Sequence, residues 1–450
     1  MDPTRMRRAI VLAAVTTLVV TACTGGGQGT ASPSAAATAA APSASPAAET
    51  VTLTYLVDTT EVTVARAEGL AKAFTAKNPN IKIELETRPQ GAEGDNIVKT
   101  RLSTGSMTDI FWYNSGSLFQ ALNPTETLLD LSGEPYIANM ADSFVVTVSA
   151  GDGVYGVPSE TAMGGGILYN KKVFADNGLQ VPKTWAEFAT NNDKLKAAGI
   201  APIGATFGAD STWTSQLFVL ADYYNVQAAV PDFAEKYTAN QVHYSDTPAA
   251  LAGFKRIQEA FDKGWYQEDF GAATYADGLT MLAAGEIAQY PMLTFALSEI
   301  AKASAEDAQN IGFFGQPGDS GTPGATIWMP AATYIAKTTA HPDEAKAFLA
   351  FIASVEGTEA LTAAVSPSGP YVIDGASLPD DVLPAVNDIK AYIDSGASAP
   401  ALEFLSPVKG PALEQITVAI GSGINTAEEG AALYDQDVEK AAKQLGLPGW

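Results

Sequence analysis

Apolar positions alternate at the start of the acidic body of the chain. Val51, Leu53, Tyr55 and Val57 share one side, and that spacing predicts a strand. Ala67, Leu70, Ala71 and Phe74 then recur at helical intervals until Asn78-Pro79-Asn80 ends the run. Ile81, Ile83 and Leu85 alternate again, so the order strand, helix, strand predicts a β-α-β unit with parallel pairing. A second helix is predicted from about Asp95 to Ser103 and a strand over Asp109–Tyr113, which makes this part of the chain α/β. The segment Asp152–Asn170 is extended and rich in glycine, as suits a passage from one lobe to another. Beyond it the pattern predicts a helix opened by Thr184-Trp185-Ala186-Glu187 and a short strand at Pro202–Ala205. Helices follow over 213–224, 248–262 and 275–284, then a strand near Ile287–Tyr290, a loop over Gly315–Gly324 and a strand at Ala331–Ala336. His341-Pro342-Asp343-Glu344 opens an amphipathic helix with Ala345, Phe348, Leu349 and Ile352 inward. No period of 20–50 residues recurs, which argues against a solenoid or a propeller.

The pattern is different before Val51. Arg5, Arg7 and Arg8 precede the apolar run Ala9–Val20, and small residues follow, which reads as a secretory signal. A membrane span would need roughly 20 apolar residues. Val20-Thr21-Ala22-Cys23 resembles a bacterial lipobox, which implies that Cys23 becomes the diacylated (palmitate-type) first residue of the mature chain. Cys23 is the only cysteine, so it has no partner for an intramolecular disulfide. Thr24 to Glu49 is almost entirely Gly, Ala, Ser, Thr and Pro, a tether with too little apolar bulk to order itself, reaching on the order of 30 Å as a coil. About 400 residues remain, too many for one core, and two lobes are expected.

Charge narrows the function classes. The formal charge of −24 becomes −26 once residues 1–22, with three arginines and one aspartate, are removed. A chain this acidic is repelled by nucleic acid and by anionic headgroups, so membrane association is expected from the lipid anchor alone. Only Arg66, Arg88, Arg101 and Arg256 lie beyond the signal, too few and too scattered for a cluster of forked donors to phosphate or carboxylate. Enzyme signatures are missing: His243 and His341 are the only histidines, and no nucleophile elbow or zinc spacing occurs. The triple glycine Gly164–Gly166 lacks the lysine of a phosphate loop. No cofactor and no metal are expected.

Several segments together resemble the family 1 extracellular solute-binding proteins of ABC importers, the group that includes maltose-binding protein. They are Thr108–Asn114 (TDIFWYN), Gly153–Glu160 (GVYGVPSE), Ile167–Phe188, Leu282–Tyr290 and the helix from His341. The most specific is the tyrosine-asparagine-lysine strand followed by Pro182-Lys183-Thr184-Trp185. The resemblance implies a two-lobed periplasmic-binding-protein-like fold (type II), each lobe a mixed sheet flanked by helices, with the ligand cleft between lobes. The expected division is 1–22 signal peptide, 23–50 lipidated cysteine and tether, 51–158 plus about 327–375 lobe 1, and 159–326 plus about 376–450 lobe 2. A monomer is expected, tethered outside the cytoplasmic membrane, capturing a mono- or oligosaccharide by hinge closure and passing it to ABC permease subunits.

A sugar site combines flat aromatic faces for the C–H side of the ring with carboxylates and amides for its hydroxyls. On that ground Asp58 and Glu61, after the first strand, are candidates, as are Trp112, Tyr113 and Asn114 at the end of the third. Glu160, Asp210, Trp213, Phe295, Trp328 and Tyr371 complete the set, by their match to family positions or by their place beside a crossing. Trp185 and Trp265 read as structural. The same fold with a polyamine, peptide or glycerol phosphate ester as ligand, or a secreted glycoside hydrolase, stands as the alternative.

Overall fold

The structure, a computed structural model, describes residues 50–450. The signal peptide, Cys23 and the tether therefore lie outside the described residues. The β-α-β unit forms as its pattern dictates. Strand Val51–Asp58 pairs in parallel with Ile81–Arg88, from Val51 opposite Ile81 to Asp58 opposite Arg88, and helix Glu61–Lys77 makes the crossover. Ile110–Tyr113 pairs in parallel on the other side, then Ala332–Ile335 and Gly156–Pro158 follow antiparallel. The first strand is interior to the sheet, paired on both sides, and Leu56 is as fully buried as Leu53, Tyr55 and Val57. Simple alternation gives way where both faces of a strand are covered. Phe74 of the crossover helix and Phe348 of helix Pro342–Ile352 meet edge to face at 5.1 Å over this sheet. Ala345, Phe348, Leu349 and Ile352 are all inward, as the periodicity predicts.

The second sheet runs Ser398–Pro400, Ala325–Trp328, Met163–Asn170, Ile287–Leu293, Ala201–Ile203, with Ile311–Phe314 also paired to Met163–Asn170. Helices Trp185–Ala197, Pro248–Asp262, Tyr275–Ala284, Pro384–Asp394, Leu413–Gly421 and Ala427–Gln444 flank it. Gly165 explains the triple glycine: a Cβ there would lie 2.1 Å from the Trp328 ring, which rests directly on the strand backbone. The helix predicted over 213–224 is instead a 3₁₀ turn Thr212–Gln216, a short helix Leu217–Leu220 and a separate helix Tyr223–Ala229. The break comes from tertiary bonds. The Thr326 hydroxyl donates to the Ala221 carbonyl at 2.7 Å and accepts from the Tyr224 N–H at 2.9 Å, and the buried Asp222 carboxylate pairs with Arg256.

The chain passes between the sheets after Pro158 and again after Trp328, and these passages are bonded to each other. Ser159 N–H donates to Ala331 O (3.2 Å), and Ala331 N–H donates to the Glu160 carboxylate (2.9 Å). A third stretch, downstream of helix Val355–Ala364, joins them: Ala162 N–H donates to Pro370 O at 2.8 Å, and the Thr161 and Ser368 hydroxyls lie 3.0 Å apart. Three adjacent strands of backbone thus form one hinge between two separately packed lobes.

Candidate functional site between the lobes

A cleft of about 820 Å³ opens between the sheets, within the ~300–1,000 Å³ typical of small-molecule sites. Seven of the eleven ligand-site candidates line it: Asp58, Trp112, Asn114, Glu160, Trp213, Phe295 and Trp328. They arrive from different elements. Asp58 ends the first strand, and its Oδ1 accepts the Thr60 N–H at 2.9 Å, leaving Oδ2 without a partner among the described residues. Trp112 and Asn114 stand at the end of the third strand, with the Arg88 guanidinium 5.7 Å from the Trp112 ring centroid. Trp213 lies 5.2 Å from Tyr275 and 5.9 Å from Phe295, ring to ring, so one wall is a continuous aromatic patch. Its indole N–H is buried without an acceptor. The Trp328 indole N–H, by contrast, donates to the Glu403 carboxylate.

Glu160 lines the cleft but is already engaged, taking one bond from Arg66 and one from the Ala331 N–H. Burial pushes its carboxyl up while the Arg66 charge pulls it down. Its position ties helix Glu61–Lys77 to both crossings.

The remaining four candidates are placed elsewhere. Tyr113 is fully buried in the first lobe, because strand side chains alternate and its neighbour Trp112 takes the cleft side. Glu61 points outward and pairs with Lys302 at 2.8 Å, across the mouth of the cleft. Asp210 is exposed and accepts the Ser211 hydroxyl at 2.9 Å. The Tyr371 hydroxyl bonds the Thr362 hydroxyl instead of facing the cleft. Trp185 and Trp265, read as structural, are buried and donate to Glu259 (2.7 Å) and Asp193 (3.0 Å).

Sequence reasoning missed several lining residues. Glu299 lies four positions after Phe295 on helix Ala296–Ala303, the i, i+4 spacing that puts both on one face. Burial, reinforced by the Asp58 charge, pushes its carboxyl up to about 7, against a 3.3 Å bond from the Tyr275 hydroxyl. Arg66 had the regular helical pattern around it as its only signal. Glu403 and Phe404 come from the 3₁₀ turn Leu402–Phe404 and Lys409 from the irregular stretch after it, with no periodicity to flag them.

Two α/β lobes on a bonded three-stranded hinge, with aromatic faces and carboxylates gathered between them, define a two-lobed solute-binding protein. The chain belongs to the bacterial extracellular solute-binding protein family, whose sequence model matches residues 58–359. It is 26% identical over 301 residues to a multiple sugar-binding protein of Streptococcus mutans, covering 66% of this chain and 69% of that one. Among solved structures it resembles a chitin oligosaccharide binding protein, with TM-score 0.76 and 24% identity over 88% of this chain and 99% of the other. The solute-binding protein RafE in complex with raffinose aligns with TM-score 0.72 and 22% identity, over 88% of this chain and 100% of that one. At these identities the two structures establish the shared fold.

Proposed function

We propose that this protein is the receptor of an ABC importer, capturing a mono- or oligosaccharide between its lobes and delivering it to the permease. The observation that carries the reading is the convergence of Trp112, Trp213, Phe295 and Trp328 with Asp58 and Asn114 in one interlobe cleft. The rings cover the apolar side of a pyranose, and the carboxylate and amide take its hydroxyls. Hydrogen bonds to a charged acceptor contribute ~1.5–3 kcal/mol each, so a few of them with stacking reach micromolar affinity, near −8 kcal/mol. The sugar-binding names of the relative and of the two solved structures point the same way.

The lobes run 51–158 plus about 327–375 and 159–326 plus about 376–450; passages between the sheets after Pro158 and Trp328 support this division. The receptor acts as a monomer on the outer face of the cytoplasmic membrane, held by acylated Cys23, since two acyl chains give the stable anchoring that one does not.

A thermal-shift screen over mono- and oligosaccharides tests the central reading. At a hundredfold excess over Kd a bound sugar contributes about 2.7 kcal/mol and raises Tm measurably, with the sugar recovered intact. Trp213→Ala removes that shift. A screen in which no sugar moves Tm, or in which sugar is cleaved, refutes it. Anchoring is checked separately: labelled palmitate enters the wild-type protein, whereas Cys23→Ala takes up none and is released to the medium.

A further inference from the structure

The charges of the cleft do not balance. Six carboxylates line it against four basic side chains. Arg66 is committed to Glu160, and Lys409 lies 3.7 Å from Glu403. Arg88 and Lys99 both act on Asp95, where their charges oppose the effect of burial. Of the other three, Glu414 accepts the Thr212 hydroxyl at 2.7 Å, and Asp58 and Glu299 are left, one from each lobe; among the described residues neither forms an ion pair, although the Arg66 charge also acts on Glu299. Asp58 is only 7% exposed, yet one of its oxygens has no donor. Glu299 receives a single long bond from Tyr275, and Lys302 on its own helix is turned away to Glu61.

A carboxylate drawn out of water with a single donor is costly, and two that approach from opposite lobes are more so. Either a proton or a ligand cation relieves the cost. In the empty cleft the proton does so, since the Asp58 charge adds to burial in holding Glu299 neutral up to about 7. A metal ion is the wrong occupant: among the described residues no three carboxylates or imidazoles are placed to hold one. An organic cation fits, because Glu299 is bonded to Tyr275 of the Tyr275–Trp213–Phe295 wall, and aromatic faces also attract cations.

Building on the carbohydrate reading, we infer that the solute is a sugar bearing a protonated amine, its ammonium group held between Asp58 and Glu299. Charge-assisted bonds of this kind are about twice as strong as neutral ones. The ammonium joins the two lobes only in the closed form, so it favours closure as well as binding.

The test is calorimetric titration of matched pairs at pH 7.5: glucose, galactose and mannose against their 2-amino counterparts, and the trimer of glucosamine against that of N-acetylglucosamine. The expected result is at least tenfold tighter binding of the amino member in one or more pairs, with the preference smaller at pH 5.5, where Glu299 holds its proton. Glu299→Gln reduces the preference below threefold, and Asp58→Asn, which also loses an acceptor for sugar hydroxyls, weakens the neutral member but the amino member at least threefold more; cooperative urea unfolding of each variant shows that both fold. A neutral member binding as tightly as its amino partner overturns the amine inference and leaves the carbohydrate reading intact. A preference that survives both substitutions overturns the placement at these two residues. No binding by any sugar, here or in the wider screen, overturns the inference together with the reading it rests on.

Discussion

Glu299 is the residue whose chemistry depends most on its surroundings. Burial lifts its carboxyl from an ordinary 4.5 to about 7, and the negative charge on Asp58 adds to the lift. The folded state therefore keeps a proton that the unfolded chain releases. The stabilisation is fully present below pH 4.5 and is lost as pH rises towards 7. A displacement of this size corresponds to about 3 kcal/mol, less whatever water in the cleft screens. Urea unfolding of the ligand-free protein should thus show the wild type losing roughly 2–3 kcal/mol relative to Glu299→Gln between pH 4.5 and pH 8. A difference between the two proteins that stays constant with pH contradicts burial as the cause. Gly165 illustrates the opposite kind of dependence: it titrates nothing, but it leaves the space in which Trp328 reaches the cleft.

At the scale of elements, the parts that could be read from the chain are those whose neighbours are local. The β-α-β unit and helix Pro342–Ile352 follow from periodicity, because their buried faces are set by spacing along the chain. The second helix begins at Gly91 rather than at about Asp95, because Gln90 makes no side-chain cap to mark its start. Helix Trp185–Ala197, opened by a real cap from Thr184 to the Glu187 N–H, begins where the sequence predicts. The break around Asp222 was illegible, since Thr326 and Arg256 enforce it from more than thirty residues away. The site shows the same division. Asp58, Trp112 and Asn114, which line the cleft, are legible as strand ends, while the two-residue period of the same strand turns Tyr113 into the core. Glu403 and Lys409 enter only through the folding back of the C-terminal segment against Trp328.

The whole molecule turns on how firmly the lobes hold each other without ligand. Apart from the hinge, the direct ionic contact across the cleft mouth is Glu61 with Lys302, and both side chains are largely exposed. Exposed pairs contribute little and are screened by salt, so this contact guides closure without enforcing it. Above pH 7, where Glu299 loses its proton, the deeper groups oppose closure without ligand, since Asp58 and Glu299 approach from opposite lobes. The balance between open and closed forms is therefore left to the ligand, which shifts it by its differential affinity for the closed form. Small-angle scattering should show a smaller radius of gyration at saturating ligand than without it. Glu61→Gln should leave that contraction in place and weaken binding by less than about fivefold, because the lost pair is exposed. Were Glu61 a direct ligand contact, the same substitution would cost tenfold or more, and Lys302→Gln would not reproduce its effect. An unchanged radius at saturation excludes hinge closure as the mechanism of capture.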